Sequence, residues 1–183
     1  MASYILHPSA LFADSSGILT IPSGSSLLDV VQKGPDTFDD TTYLYNNYWF
    51  SFIDANYYFD EPSATGTISE VKIYFRCKAN VLSGSNTYNV GVIIDGAGYM
   101  KTSTNISSTS FANYMQSFTT NPATGLAWTW TDFASTRFKW QMYTSYGTNN
   151  IWGSAFWAEI VYTGSPITTY YYLRNRMKTK QIP

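Results

Sequence analysis

A nine-residue stretch of strict alternation constrains this chain more than any other feature. Val71, Ile73, Phe75, Cys77 and Ala79 are apolar, and Lys72, Tyr74, Arg76 and Lys78 stand between them. On an α-helix, with 3.6 residues per turn, these apolar groups would scatter around the circumference; on a strand they share one face. The pattern recurs where Phe138, Trp140 and Met142 interleave with Arg137, Lys139 and Gln141. A shorter version at Val90, Val92 and Ile94 runs into Asp95-Gly96, a hairpin turn signal that makes Tyr99–Thr102 the returning strand.

Further strands are expected after Asp39-Asp40-Thr41-Thr42-Tyr43, at Trp49–Ile53, at Phe111–Phe118 and at Ala155–Tyr162. Loops are expected at Asn46-Asn47, at 60–66 and at Asn121–Gly125, where Asn, Asp, Pro and Gly cluster. Thr131 is placed to cap a helical turn over 131–135. Seven or eight short strands with no long helix describe an all-β chain: a single β-sandwich, jelly-roll-like, with extended N- and C-terminal arms. At 183 residues such a domain buries a sufficient core without disulfide or metal. The single cysteine, Cys77, falls at an inward position and reads as a buried hydrophobe.

The core spans 36–163. Residues 1–35 are rich in Ser, Gly and Pro and read as an arm or first edge strand. Residues 164–183 form a Tyr-rich basic arm. Tyr170, Tyr171 and Tyr172 precede Arg174, Arg176, Lys178 and Lys180, which recur at every second position and share one side if the arm is extended. These seven residues are the candidate assembly interface.

Only 13% of the chain is charged, and the net charge is −1, so copies repel one another little and self-association is easy. Aromatics reach 18%, and a surface of Tyr, Ser and Asn suits contact with a partner. No basic excess points to nucleic acid. No apolar run is long enough for a membrane helix, and the N-terminus lacks a signal-peptide pattern.

Chemistry is poorly provided for. One histidine, His7, and one cysteine exclude the usual His-based triads and structural zinc sites within a chain. Each carboxylate has a simpler role: Asp60-Glu61 precede Pro62 in a loop, Asp95 precedes Gly96 in a turn, Asp132 lies near a helix cap, and Glu159 suits an ion pair. Asp39 and Asp40 match no calcium-loop spacing. Asn105-Ile106-Ser107 is a glycosylation tripeptide without a secretory context. No phosphate-cradling glycine loop is present. No catalytic residue, cofactor or metal is expected. Trp128, Trp130, Trp152 and Trp157 are candidates for stacking on sugars; Trp152, beside Gly153 in an expected loop, is the candidate exposed aromatic for a ligand.

Three runs carry a family resemblance: Asp39 to Tyr43, Gly66 to Ala79, and Thr120-Asn121-Pro122-Ala123-Thr124-Gly125-Leu126-Ala127-Trp128-Thr129-Trp130-Thr131-Asp132-Phe133. They resemble a β-sandwich family of tailed-bacteriophage virion structural proteins. The resemblance implies a virion part, made in the host cytoplasm, with no catalytic residues. The function expected on these grounds is a capsid decoration (cement) or tail-associated subunit. Its partners would be further copies of itself and a major capsid or tail protein. The alternative is a carbohydrate-binding or host-receptor-binding β-sandwich module with a glycan as ligand.

Overall fold

The structure, a computed structural model, describes residues 1–14, 18–21, 26–32, 35, 37–46, 52–59, 62, 64–82, 86–144 and 150–164. In chain order its strands are β1 (Ala2–Leu6), β2 (Pro8–Asp14), β3 (Ile18–Ile21), β4 (Tyr43–Asn46), β5 (Phe52–Phe59), β6 (Thr67–Ala79), β7 (Asn86–Ile94), β8 (Ala97–Met100), β9 (Thr104–Asn105), β10 (Ala112–Phe118), β11 (Arg137–Thr144) and β12 (Ile151–Thr163). A short helix, α1 (Leu27–Val31), and a 3₁₀ turn (Trp130–Ala134) complete the described elements.

The strands form two six-stranded sheets. The first runs β10-β6-β12-β4-β3, with β1 on β12; the second runs β2-β5-β11-β7-β8, with β9 on β7. Successive strands such as β4, β5, β6 and β7 alternate between the sheets, so most sheet neighbours are distant in sequence. The result is the expected jelly-roll-like β-sandwich. The long strand β12 is its spine: one edge pairs with β6 throughout, and the other pairs first with β4 and then with β1.

The alternation resolves as read. Val71, Ile73, Phe75, Cys77 and Ala79 are fully buried between the sheets, as are Phe138, Trp140 and Met142 on β11. The core is joined by rings. Phe75 of the first sheet stacks on Trp140 of the second at 5.3 Å and 8°. Phe59 stacks on Phe138 at 4.4 Å and meets Phe156 edge-on at 5.6 Å. Such pairs add about 0.5–1.5 kcal/mol each beyond the area they bury. The Trp140 indole N–H is buried and has no hydrogen-bond partner among the described residues. Gly153 lets the Phe75 ring lie against the backbone, since a Cβ there would stand 2.5 Å from Cζ of that ring.

Three readings change in detail. In the N-terminal segment β2 and β3 do lie at sheet edges, but described residues of it also enter the core. Leu6, Val30 and Val31 are buried, and α1 opens on Ser26, whose hydroxyl accepts from the Asp29 amide at 3.1 Å. Of the strand expected at Trp49–Ile53, Phe52 and Ile53 open a longer strand that runs to Phe59, with Ala55, Tyr57 and Phe59 facing inward; residues 47–51 lie outside the described residues. The 3₁₀ turn starts one residue early, at Trp130, and its cap is Thr129 instead of Thr131; the Thr129 amide donates to the Asp132 carboxylate at 2.7 Å.

The turns follow their sequence. Asp95 and Gly96 take positive φ, 50° and 84°, as a tight hairpin requires. Asn121 is buried, and its side-chain oxygen accepts from the Ala123 amide at 2.9 Å.

Replacing Phe75 by Ala removes the ring that couples the sheets and leaves a cavity beneath Trp140. The expected loss is about 3–5 kcal/mol in urea unfolding. A loss below about 1 kcal/mol would show that the core does not depend on this stack.

Candidate functional site: an aromatic and cationic sheet face

Directly opposed residues of antiparallel strands share a face. The register therefore predicts what the outer face of the first sheet carries. Trp152 of β12 lies opposite Lys78 of β6 on one side and Tyr45 of β4 on the other. Phe111, one residue before β10, completes this row beyond Lys78. In the next row Arg76 is opposite Asn113. The third row sets Tyr74 against Trp157, and the fourth sets Lys72 against Glu159.

The first two rows form a compact cluster of rings and cations. The Lys78 ammonium lies 4.5 Å from the Phe111 centroid and 5.0 Å from that of Trp152. Tyr43 stands 6.1 Å from Phe111 and edge-on to Trp152 at 6.5 Å. Trp152, Tyr43, Phe111 and Lys78 are all half-buried, so their rings and charge remain partly open to solvent.

Arg76 anchors the cluster from beneath. Its Nε and Nη2 donate to the two oxygens of Asp40 at 2.8 and 2.6 Å, and its Nη1 donates to Asn113 Oδ1 at 3.0 Å. The register shift between Gly153 and Ala155 accommodates Ser154, whose hydroxyl donates to Asp40 at 2.9 Å. These bonds, led by that of Arg76, hold the Asp40 carboxyl below its ordinary value even though partial burial opposes the shift. The guanidinium also lies 4.5 Å from the centroid of Phe38. Phe38 in turn packs 5.4 Å from Trp157, which stacks on Tyr74 at 4.8 Å and 2°. Segment 37–42 is thus laid over half of the sheet face, leaving the Trp152 end uncovered by it.

The tryptophan candidates separate cleanly. Trp128 is buried and donates to the Phe118 carbonyl at 3.2 Å. Trp130 is half-buried, edge-on to Tyr162, and donates to the Gly66 carbonyl at 2.8 Å. Trp157 faces outward but is covered by Phe38. Trp152, partly open like Trp130, is the member joined to the ring and cation cluster, in strand β12 instead of the expected loop and half-buried instead of free. Tyr43, Phe111 and Lys78, its partners in the cluster, were not singled out from sequence. The alternation did place Lys78 outward, but which aromatics flank it depends on strand order.

The carboxylates are engaged structurally. Asp39 accepts from the Thr41 amide at 3.0 Å and the Thr42 hydroxyl at 2.9 Å. Glu159 accepts from the Tyr74 hydroxyl at 2.9 Å and lies 3.7 Å from Lys72. Burial first, and then that hydrogen bond, push Tyr74 up to about 12. Asp54 pairs with Lys139. Among the described residues no group of three His, Cys, Asp or Glu is placed to hold a metal. His7 separates β1 from β2, and its buried Nδ1 has no hydrogen-bond partner among the described residues. In the glycosylation tripeptide Asn105 is exposed and Ile106 is buried. The candidate assembly residues Tyr170, Tyr171, Tyr172, Arg174, Arg176, Lys178 and Lys180, and the loop residues Asp60 and Glu61, lie outside the described residues.

No family model matches the chain, and no curated protein does. Solved structures with a similar β-sandwich include the CBM22-1 xylan-binding domain of Paenibacillus barcinonensis Xyn10C, at 8% identity and a TM-score of 0.48, covering 89% of this chain and 98% of that one. The CBM6cm-2 carbohydrate-binding module of Cellvibrio mixtus lichenase 5A, in complex with cellotriose, matches at 12% identity and 0.44, covering 89% and 99%. The CBM35 of Cellvibrio japonicus Abf62 matches at 9% and 0.42, covering 90% and 95%. The expectation of a bacteriophage virion protein, whether capsid decoration or tail-associated subunit, is corrected here: these neighbours are carbohydrate-binding modules and not virion proteins. The residues quoted for that resemblance have ordinary structural work as turn, core and cap, which any β-sandwich requires. At these TM-scores the likeness carries no ligand or activity over to this chain.

Replacing Asp40 by Asn tests the anchor of the cluster. The expected cost at neutral pH is about 1–2 kcal/mol, a charged hydrogen bond discounted for solvent exposure. Because the folded carboxyl titrates below its ordinary value, its contribution is full above the unfolded value and is lost as pH falls through the folded one. The stability gap between wild type and Asp40→Asn in urea unfolding should therefore narrow in strong acid. A gap unchanged by acid would exclude the carboxylate as its source.

Proposed function

We propose that this chain is a non-catalytic saccharide-binding β-sandwich module, and that it binds its ligand on the Trp152 end of the outer face of the first sheet. The observation that carries the reading is the half-open cluster of Trp152, Tyr43 and Phe111 around Lys78. A sugar ring presents an apolar C–H face and a rim of hydroxyls. Aromatic rings bury the face, and polar side chains fixed at the edge take the rim.

Both kinds of group are present. Trp152 and Tyr43 offer ring surface from adjacent strands, while Asn113, Tyr45 and Lys78 offer donors and acceptors. Their positions come from paired strands, which hold a site more firmly than loops do. Arg76, Asp40 and Ser154 form a hydrogen-bonded support behind it. Asp39, Asp40, Asp54, Asp132 and Glu159 are engaged in turns, caps and ion pairs, and this reading requires no hydrolytic step.

The test is binding of the full chain to a panel of soluble plant, algal and bacterial polysaccharides by affinity electrophoresis, with calorimetry on those that retard it. Trp152→Ala should weaken binding roughly 10- to 100-fold, the loss of one stacked ring, with an unchanged circular dichroism spectrum. Phe12→Ala, at an exposed ring on the edge of the other sheet, should leave binding intact. Retention that survives both Trp152→Ala and Tyr43→Ala would place the ligand elsewhere.

A further inference from the structure

We infer that the saccharide bound on this face is an acidic one, whose carboxylate or sulfate ester seats on Lys78. This rests on the saccharide-binding reading above and adds the charge class of the ligand.

The two cations of the cluster are in different electrostatic states. Arg76 is neutralised by both oxygens of Asp40, at 2.8 and 2.6 Å. Lys78 makes ring contacts only and has no ion pair among the described residues. The other lysines on strands differ: Lys72 pairs with Glu70 and Glu159, and Lys139 pairs with Asp54. Lys101, beyond β8, also has no ion pair among the described residues, but it lies over Phe118 and not in the cluster. Lys78 is thus a strand lysine with no carboxylate paired to it among the described residues, and it stands at the centre of the open rings; Asp40 feels its charge from beyond ion-pair distance. Asp40, the acid nearest the cluster, is committed to Arg76 and Ser154.

A ring face attracts an ammonium without cancelling its charge or using up its N–H donors. Held between Phe111 and Trp152, Lys78 also has less rotamer freedom to lose when it meets a ligand. A neutral hydroxyl would take one hydrogen bond from it and leave the charge uncompensated. An anionic group takes a charge-assisted bond and compensates the charge as well. A uronic-acid carboxylate and a sulfate ester share this chemistry, and the experiment separates them.

Calorimetry on the full chain compares matched polymers: a neutral xylan with a glucuronic-acid-substituted xylan, and a neutral galactan with its sulfated form. The acidic member of at least one pair should bind roughly tenfold more tightly than its neutral counterpart, and the advantage should fall with added salt. Which pair shows the advantage identifies carboxylate or sulfate. Lys78→Gln should weaken binding of the acidic member roughly tenfold more than that of the neutral one and so abolish the advantage and its salt dependence, and Lys78→Arg should restore part of it. Equal binding of neutral and acidic members, or equal losses on both in Lys78→Gln, overturns the inference and leaves saccharide binding standing. Absence of binding to every polymer here and in the wider panel overturns the saccharide reading and the inference with it.

Discussion

The parallel contact between Phe75 and Trp140 is the constraint on which the rest of the structure depends. It spans the two sheets at their centre, with each ring fully buried. Phe156, Tyr57, Phe59 and Phe138 extend the ring packing along the sandwich. Large flat side chains fill the inter-sheet space with few atoms left uncovered, which explains how a chain with 13% charged residues and no disulfide closes a core. The contact also dictates Gly153, because the Phe75 ring occupies the space a Cβ would need.

Events on the outer face follow from that inner packing. Strands β6 and β12 must keep Phe75 and Phe156 inward. Every second residue is therefore forced outward in register, and Lys78 meets Trp152. The shift near Ser154 then turns its hydroxyl toward Asp40, which brings segment 37–42 down over Trp157. A core requirement thereby decides which aromatic stays open. Trp157 and Trp152 both face outward, and only the first lies under Phe38.

Much of the fold was legible because its signal is local. The alternation in β6 and β11, the Asp95-Gly96 turn and the Asn121–Gly125 turn each depend on a few adjacent residues. Strand β5 shows the limit of such signals. Large residues run through Trp49–Phe59 without a clear alternation, and pairing with β11 and packing against the other sheet determine which ones turn inward. The N-terminal segment reads as an arm from sequence for the same reason. Its short strands are poor in pattern, and their partners, β12 and β5, lie far along the chain.

The candidate site was legible in part. Trp152 stood out as an aromatic beside a glycine, although that glycine serves the packing of Phe75 and marks no loop. Lys78 was outward by periodicity. Nothing in the sequence joins Tyr43, Phe111 and Asp40 to them, since those contacts cross tens of residues and depend on strand order. By itself the sequence determined the strand period, the turns, the aromatic core and the shortage of catalytic groups. Only the tertiary structure decided which outward residues meet, which tryptophan lies under Phe38 and which lysine sits among open rings with no ion pair among the described residues. Period and turn chemistry are properties of neighbouring residues, whereas burial and charge compensation are set by whatever the fold brings alongside.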